Sequence, residues 1–200
     1  MTLTDKSGKA TTLIIGKNGP TYVESYVRLP KSNDVYLAEG FESWSINKEV
    51  KDWRDKMIYK TERDSVEEIS IEWNLPPDTK KKTAPEQFTL LKNKAQWSLN
   101  GDSIDNSKVN AMLAYLANFR TDDFIDSTVA MPEILLSLRI QSKTNTANIE
   151  EATMMIYPHP SDSTKYWVKN SSSTQLYQIT KWMAQNIMKK RSDFIEEKKK

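Results

Sequence analysis

Two stretches of this chain alternate apolar and polar residues with the period of a β-strand. Ile69, Ile71 and Trp73 are separated by charged or hydroxyl side chains, and residues 134–140 repeat the pattern. Because successive side chains of a strand point to opposite faces, this alternation predicts sheets with one buried and one solvent face. A chain of 200 residues can bury such a core without a disulfide or a metal, and it contains no cysteine.

Three further stretches carry apolar residues at the spacing of an amphipathic helix. The stripes are Ile46, Val50, Trp53 and Met57; Val109, Met112, Leu113 and Leu116; and Leu176, Ile179, Met183 and Ile187. Asp105 or Ser107 can cap the second helix through a side-chain oxygen, and the serine run 171–173 can cap the third. We therefore expect three helices, each of which follows a group of strands.

Turn residues divide the remaining apolar runs into groups of three strands. Residues 19–20, 76–78 and 158–162 contain glycine or proline, and residues 92–95 are mostly polar, as is typical of tight turns. The order strand, strand, strand, helix thus occurs three times. The sequence predicts an α+β fold of three successive βββα units, antiparallel meanders each with a helix packed on one face.

The expected boundaries follow from this repeat. They are a flexible leader or vector-derived segment at 1–10, βββα units at 11–62, 63–125 and 126–195, and a charged tail at 196–200. Direct identity between the units is low, so the repeat is one of pattern. The polar opening residues lead almost at once into a strand, which is typical of a fragment cut from a longer protein.

The balance of charge argues against nucleic acid as a partner. Lys and Arg number 29 against 27 Asp and Glu, and the net charge of +2 is too small to steer an anionic polymer or membrane. No apolar run approaches the ~20 residues of a membrane-spanning helix, so membrane contact is expected only through an anchor absent from this chain. The lack of cysteine suits both the cytosol and a bacterial envelope.

The single histidine does not predict a catalytic or metal site. His159 lies between Pro158 and Pro160 in an expected surface turn, and no second histidine or cysteine can share a metal with it. A Gly-x-Ser-x-Gly elbow is also absent from the sequence. We therefore expect no enzyme activity, no cofactor, and no catalytic, cofactor-binding or metal-binding residues.

Residues 16–19 look like a glycine loop for phosphate, or like the Gly-x-x-Gly loop of an RNA-binding KH domain. Both sites need a helix directly after the loop, because helical amides hold the phosphates. Here Pro20 and the β-rich stretch 22–27 follow instead. The pattern favours a tight turn between two strands.

Adjacent carboxylates occur at Glu67-Glu68, Asp122-Asp123 and Glu150-Glu151. Neighbouring side chains of an extended segment diverge, so a shared metal is not expected from these pairs. The mixed charges of residues 49–56 are typical of a solvated helix face.

Six tryptophans allow a sharper hypothesis, an aromatic platform for sugar rings or bases. Trp53 lies on a helical stripe and Trp73 on an alternating strand, so both are predicted to be in the core. Trp44, Trp97, Trp167 and Trp182 stay open between core and surface.

Several short motifs resemble an uncharacterised bacterial family catalogued as a domain of unknown function. The motifs are Leu13-Ile14-Ile15-Gly16, Ser25-Tyr26-Val27-Arg28, Val35-Tyr36-Leu37, Trp53-Arg54-Asp55-Lys56, Gln96-Trp97-Ser98-Leu99 and Lys165-Tyr166-Trp167-Val168. The resemblance extends over nearly the whole chain. It departs from the family in the last unit, where Leu176-Tyr177 stands in the place of a continuing strand and the Arg-Asp motif is reduced to Arg191-Ser192-Asp193.

The resemblance implies a membrane-anchored protein that faces outward, and some members are encoded beside ABC transporter genes of the gliding-motility type. We therefore expect a non-catalytic extracytoplasmic accessory or protein-interaction module whose partner is an envelope protein. The alternative is a carbohydrate or cell-wall-glycan binding module that uses exposed tryptophans. The sequence gives no oligomeric state.

Overall fold

The computed structural model describes residues 1–40, 45, 48–74, 85–100, 102–144, 146 and 148–195. The chain divides into two compact units, Met1–Arg54 and Asp55–Lys200. In each unit the described strands pair in antiparallel fashion.

The first unit contains a hairpin and a three-stranded sheet. Its strands are β1 (Thr2–Thr4), β2 (Ala10–Thr12), β3 (Ile14–Asn18), β4 (Glu24–Arg28) and β5 (Tyr36–Glu39). β1 pairs with β2, and the sheet has the order β3-β4-β5. The meander predicted for the first three strands after the leader is therefore present.

The turn between β3 and β4 requires glycine at position 19. The backbone N–H of Gly19 donates to the carbonyl of Glu24 at 2.8 Å. A Cβ at this position would lie 2.6 Å from Cδ1 of Leu37 and 2.8 Å from Cβ of Glu24, closer than packed carbons approach. The prediction that residues 16–19 form a turn between two strands, and not a phosphate loop, is therefore correct for the end of this segment. β3 itself extends through the glycine at position 16 to Asn18.

The second unit contains eleven strands and two α-helices among its described residues. The strands are β6 (Met57–Lys60), β7 (Val66–Trp73), β8 (Glu86–Asn93), β9 (Gln96–Leu99), β10 (Asp102–Ser103), β11 (Asn118–Arg120), β12 (Asp123–Ile125), β13 (Leu136–Lys143), β14 (Ile149–Pro158), β15 (Lys165–Asn170) and β16 (Leu176–Thr180). The helices are α1 (Asn106–Leu116) and α2 (Lys181–Ile187). β6 and β11 form a separate two-stranded ribbon, and the other nine strands form one sheet in the order β10-β9-β8-β7-β13-β14-β15-β16-β12.

One face of the nine-stranded sheet is apolar and buried. Leu138, in β13, is inaccessible to solvent and lies opposite Ile71 of β7 and Met154 of β14. The same core cluster includes apolar residues of α1, α2 and the β6–β11 ribbon: Ile58, Val109, Met112, Leu113, Leu116, Phe119, Ala184 and Ile187. A buried hydrogen bond of 2.7 Å from the Asn170 amide to the Ile58 carbonyl joins sheet and ribbon.

A β-bulge keeps β7 aligned with this core. Gln141 pairs with Glu68 whereas Ser142 pairs with Val66, so Glu67 is the extra residue. The bulge lets Val66 point into the core even though two residues separate it from Ile69, since a regular strand would turn it outward.

The predicted fold class is wrong. The protein is mostly antiparallel sheet, and the three successive βββα units of the α+β prediction do not exist, because strands from residues 66–180 join in a single sheet. Strong strand pairing between distant segments, above all β7 with β13, replaces the expected separate meanders. The prediction placed several strands and one helix correctly along the sequence, but it did not identify which strands pair.

The first predicted helix is a clear error. Val50 and Trp53 are 81% and 64% exposed and belong to a short 3-10 helix, while Met57 begins β6. Ile46 lies outside the described residues. Helical spacing alone does not make a helix when nothing covers the apolar stripe, so the prediction that Trp53 is in the core is also wrong.

The third predicted helix begins too early. Leu176 and Ile179 belong to β16, which pairs on both sides with β15 and β12. The helix starts only at Lys181, where the Thr180 side chain accepts a hydrogen bond from the Met183 amide. Cross-strand pairing outweighs the helical spacing of the apolar residues.

Single elements predicted within the second group are present, although their strands belong to the nine-stranded sheet and not to a separate unit. β8 and β9 form the hairpin expected at residues 92–95, and α1 carries the predicted buried stripe. The Asp105 carboxylate accepts from the Ser107 amide at 2.9 Å, as a cap at this end requires. The turn predicted at 76–78 lies outside the described residues.

None of the helices in the described ranges combines the length and apolarity needed to cross a membrane.

The core assignment predicts a large effect for truncation of Leu138. Leu138→Ala leaves a cavity under a central strand, so the free energy of unfolding should fall by about 2–5 kcal/mol. Arg139→Ala, the adjacent residue on the solvent face, is the matched control and should change it by less than about 0.5 kcal/mol. Urea unfolding measures both, and equal effects would contradict the assignment of faces.

Candidate functional site

The two edges of the nine-stranded sheet are short. At one end β10 has two residues, Asp102 and Ser103, and at the other end β12 has three residues that begin with Asp123. A short edge that carries a carboxylate is a poor template for another strand. Neither end of this sheet is therefore the best candidate for strand addition.

The three-stranded sheet of the first unit has one protected and one open edge. On β3 the register shifts between Ile15 and Asn18, which places a bulge and Lys17 on that edge. On β5 all four residues from Tyr36 to Glu39 pair regularly with β4, without bulge or proline. Bulges and lysines block edge pairing, and within the described ranges no strand pairs with β5 on the side away from β4, so β5 is the edge open to another strand.

Large apolar side chains are exposed along β5. Val35, Tyr36 and Leu37 are 59%, 57% and 47% exposed. Tyr36 lies opposite Val27 and Leu37 opposite Tyr26, so the two side chains occupy opposite faces of the sheet. A strand added here would find an apolar contact on each face. We call residues 35–39 the β5 edge.

One end of the β5 edge is acidic. Glu39 pairs directly with Glu24, and the Glu24 carboxylate accepts hydrogen bonds from the amide and the hydroxyl of Thr21. Like charges on directly opposed residues are unfavourable in a sheet, and a cation from a partner would relieve that repulsion.

His159 lies in the predicted turn, between β14 and β15. Its Nδ1 accepts backbone hydrogen bonds from Ser161 at 3.3 Å and from Asp162 at 3.1 Å. The ring meets Trp167 edge-on with centroids 5.2 Å apart. An acceptor nitrogen carries no proton, so a neutral His159 holds its proton on Nε2. Its Nδ1 atom is occupied by the hydrogen bonds that hold the loop.

The sequence did not predict that His159 also lines a cavity. The cavity has a volume of about 540 Å³, and Glu133 and Asp162 are among the residues that line it. The Asp162 carboxylate is committed to the loop, since it accepts from the amide and hydroxyl of Thr164 and pairs with Lys165 at 3.2 Å. These contacts assign Asp162 and the Nδ1 atom of His159 to loop structure.

The hydrogen bonds from Thr164 also set the acidity of Asp162. The hydroxyl of Thr164, its amide, and the nearby Lys165 ammonium favour the carboxylate form and lower the pKa of Asp162 from 3.8 to about 2.

The paired carboxylates do not converge on one point. Glu67 pairs with Lys143 at 3.5 Å, whereas Glu68 accepts from the Ser70 hydroxyl at 3.1 Å. Glu151 accepts from the Gln141 amide at 3.1 Å. Within the described part of the chain, no group of three or more Asp, Glu, His or Cys residues is arranged to hold a metal ion.

The tryptophans divide between core and surface. Trp73 is buried as predicted, and Trp97 and Trp167 are buried as well. Trp182 is 67% exposed and meets Tyr115 edge-on with centroids 5.9 Å apart. Trp44 lies outside the described residues.

Sequence reasoning identified the β5 strand but missed that it is a sheet edge. The Val-Tyr-Leu motif predicted a strand, and an alternation of buried and exposed positions would normally mark its inner face. A run of three apolar residues is more typical of a strand buried on both faces, so no local signal marked this strand as an exposed edge.

The acidity of Asp162 gives a test of the loop. Because its folded pKa is below the unfolded value, the carboxylate adds stability above about pH 3.8 and loses it as the pH falls towards 2. Asp162→Asn should therefore destabilise the protein at pH 7, and the difference from the unaltered protein should shrink as the pH falls from about 3.8 through 2, as measured by urea unfolding at each pH.

Removal of the donor alone provides the control for that experiment. Thr164→Val keeps the carboxylate but deletes its main hydrogen-bond donor, so the NMR-titrated pKa of Asp162 should rise towards 3.8. A wild-type midpoint already near 3.8 would show that the loop does not form as described.

Comparison with known proteins places the chain in a family. Residues 1–137 match the model of a family described as Domain of unknown function (DUF4340). No curated protein and no solved structure matches the chain. The match spans the first unit and the second unit as far as the start of β13. The motif at residues 165–168, which resembles the family in sequence, lies outside the matched range. Because the match covers more than half of the sequence, the chain belongs to the DUF4340 family.

Proposed function

We propose that this chain is a non-catalytic protein-interaction module, and that it binds an extended segment of a protein partner along the β5 edge. The observation that carries the proposal is the open edge itself, a regular strand with exposed Tyr36 and Leu37 that is preceded by the exposed Val35. Strand addition gains main-chain hydrogen bonds, while pockets or contacts for alternate side chains give specificity.

The chemistry of the edge constrains the partner segment. Apolar side chains at neighbouring positions would meet Tyr36 on one face and Leu37 on the other. A lysine or arginine near the end of the segment would complement Glu39 and Glu24. We therefore expect an extended apolar segment with a basic flank.

We further propose that the module lies outside the cytoplasmic membrane and that its partner is a component of a transporter. The motifs that resemble the anchored bacterial family support an extracytoplasmic module of a membrane-anchored envelope protein. Genes for ABC transporters beside some members of that family support a transporter component as the partner. Strand addition, by contrast, is supported by the regular pairing and the exposed side chains of β5.

A charge on the β5 edge tests the proposal. Leu37→Lys adds an ammonium group to the edge strand and should reduce recovery of the partner from native membranes by about tenfold, since edge lysines oppose pairing. Pull-down with quantitative mass spectrometry measures the recovery.

The matched control is Leu91→Lys. Leu91 is 43% exposed, close to Leu37, and lies inside the nine-stranded sheet opposite Glu68. The Leu91→Lys variant should leave recovery of the partner unchanged. Capture of no transporter or other envelope component, or equal capture by both variants, would count against the proposal.

A second candidate function, glycan binding, is favoured by one observation. Trp182 presents two thirds of its surface to solvent beside Tyr115, an arrangement that can stack on a sugar ring. Cell-wall glycan fragments should then quench tryptophan fluorescence, and Trp182→Phe should remove most of the change. A flat titration of the unaltered chain would eliminate this candidate.

A further inference from the structure

A pocket of about 450 Å³ lies in the second unit beside the β8–β9 hairpin. Its lining residues are Arg63, Asp64, Lys92, Lys94, Ala95, Trp97, Asn110 and Leu113. Three cations and one carboxylate thus share one pocket, whereas basic and acidic residues nearly balance over the whole chain. We call this the basic pocket.

The three cations of the basic pocket have no acidic partner in the part of the chain that the structure describes. Among the described residues no carboxylate lies within ion-pair distance of Arg63, Lys92 or Lys94, and Asp64 forms no ion pair with any of them. Unpaired cations close together repel one another, and an anion between them would remove that cost.

Lys92 is held in place without loss of its charge. Its Nζ donates to the backbone carbonyl of Asp64 at 2.8 Å. A neutral carbonyl orients the ammonium group but leaves its net charge for a ligand, and two of its three N–H groups remain for other acceptors.

Lys94 occupies a backbone conformation that other residues adopt more easily. It is the first residue of the two-residue loop between β8 and β9 and has a φ of 57°. Glycine or asparagine is preferred at such positions, and strained residues are concentrated at functional sites. Lysine here adds a third cation to the pocket wall at a conformational cost.

The pocket also has an apolar floor. Trp97 and Leu113 line it and are almost fully buried, 4% and 2% exposed. Apolar surroundings lower the local dielectric and strengthen the attraction between the cations and an anion.

We propose that the basic pocket binds a phosphate-bearing ligand. An arginine fork and two ammonium groups match the several oxygens and double charge of a phosphate. The volume exceeds that of one phosphate group, which leaves room for a second phosphate or an attached organic group. The phosphate can come from a soluble diphosphate or from a lipid headgroup, and this site is independent of the β5 edge.

Sodium pyrophosphate and lipid vesicles test the proposal on the whole 200-residue chain. Isothermal titration with pyrophosphate at low salt should saturate, and Lys92→Gln and Lys94→Gln should each weaken binding by about tenfold. Sedimentation with phosphatidylglycerol vesicles, against phosphatidylcholine vesicles, tests the headgroup source.

Lys169→Gln is the matched control, because it removes an exposed lysine from β15, outside the pocket. Saturable binding of either probe that the two pocket variants weaken and the control does not would support the site, and the probe that binds identifies the source. Lack of binding to both probes, or equal binding by all variants, would overturn the proposal without bearing on the β5 edge.

Discussion

Unpaired backbone groups at the edges of open sheets constrain this protein more than any other single factor. Every open sheet ends in a strand whose outward N–H and C=O groups can pair with another chain. The nine-stranded sheet ends in strands of two and three residues, and β3 has a bulge beside Lys17. Of these four edge strands, only β5 is regular and apolar. For this reason β5 is the strand at which we propose that a partner binds.

The core depends on the same strand pairing. β13 is bonded to β7 on one side and β14 on the other, and each pair brings buried side chains together on one face. The helices and the β6–β11 ribbon then complete a single core with that face. The bulge at Glu67 preserves this arrangement where a regular strand would have turned Val66 outward.

Local features could be predicted from the sequence, whereas long-range pairing could not. Alternation located β7 and β13, and the side chain of Asp105 marked the start of α1. Nothing in the order of residues indicates that β7 pairs with β13 more than sixty residues later. The helical spacing at Trp53 was misleading for the same reason, because burial depends on which distant segment covers a stripe.

The candidate sites follow this division. The strand at 35–37 and the turn at His159 were predicted, but their places at a sheet edge and in a cavity depend on the assembled fold. The basic pocket joins Arg63 to a hairpin about thirty residues away, so no local motif could have revealed it.

Hydrogen exchange of the free chain, followed by NMR, tests the open β5 edge most directly. Amides of β5 that point away from β4 should exchange like those of an unpaired segment, while amides in β13 should be strongly protected. Strong protection of every amide from Tyr36 to Glu39 would show that the edge is already covered, and would contradict strand addition at this site.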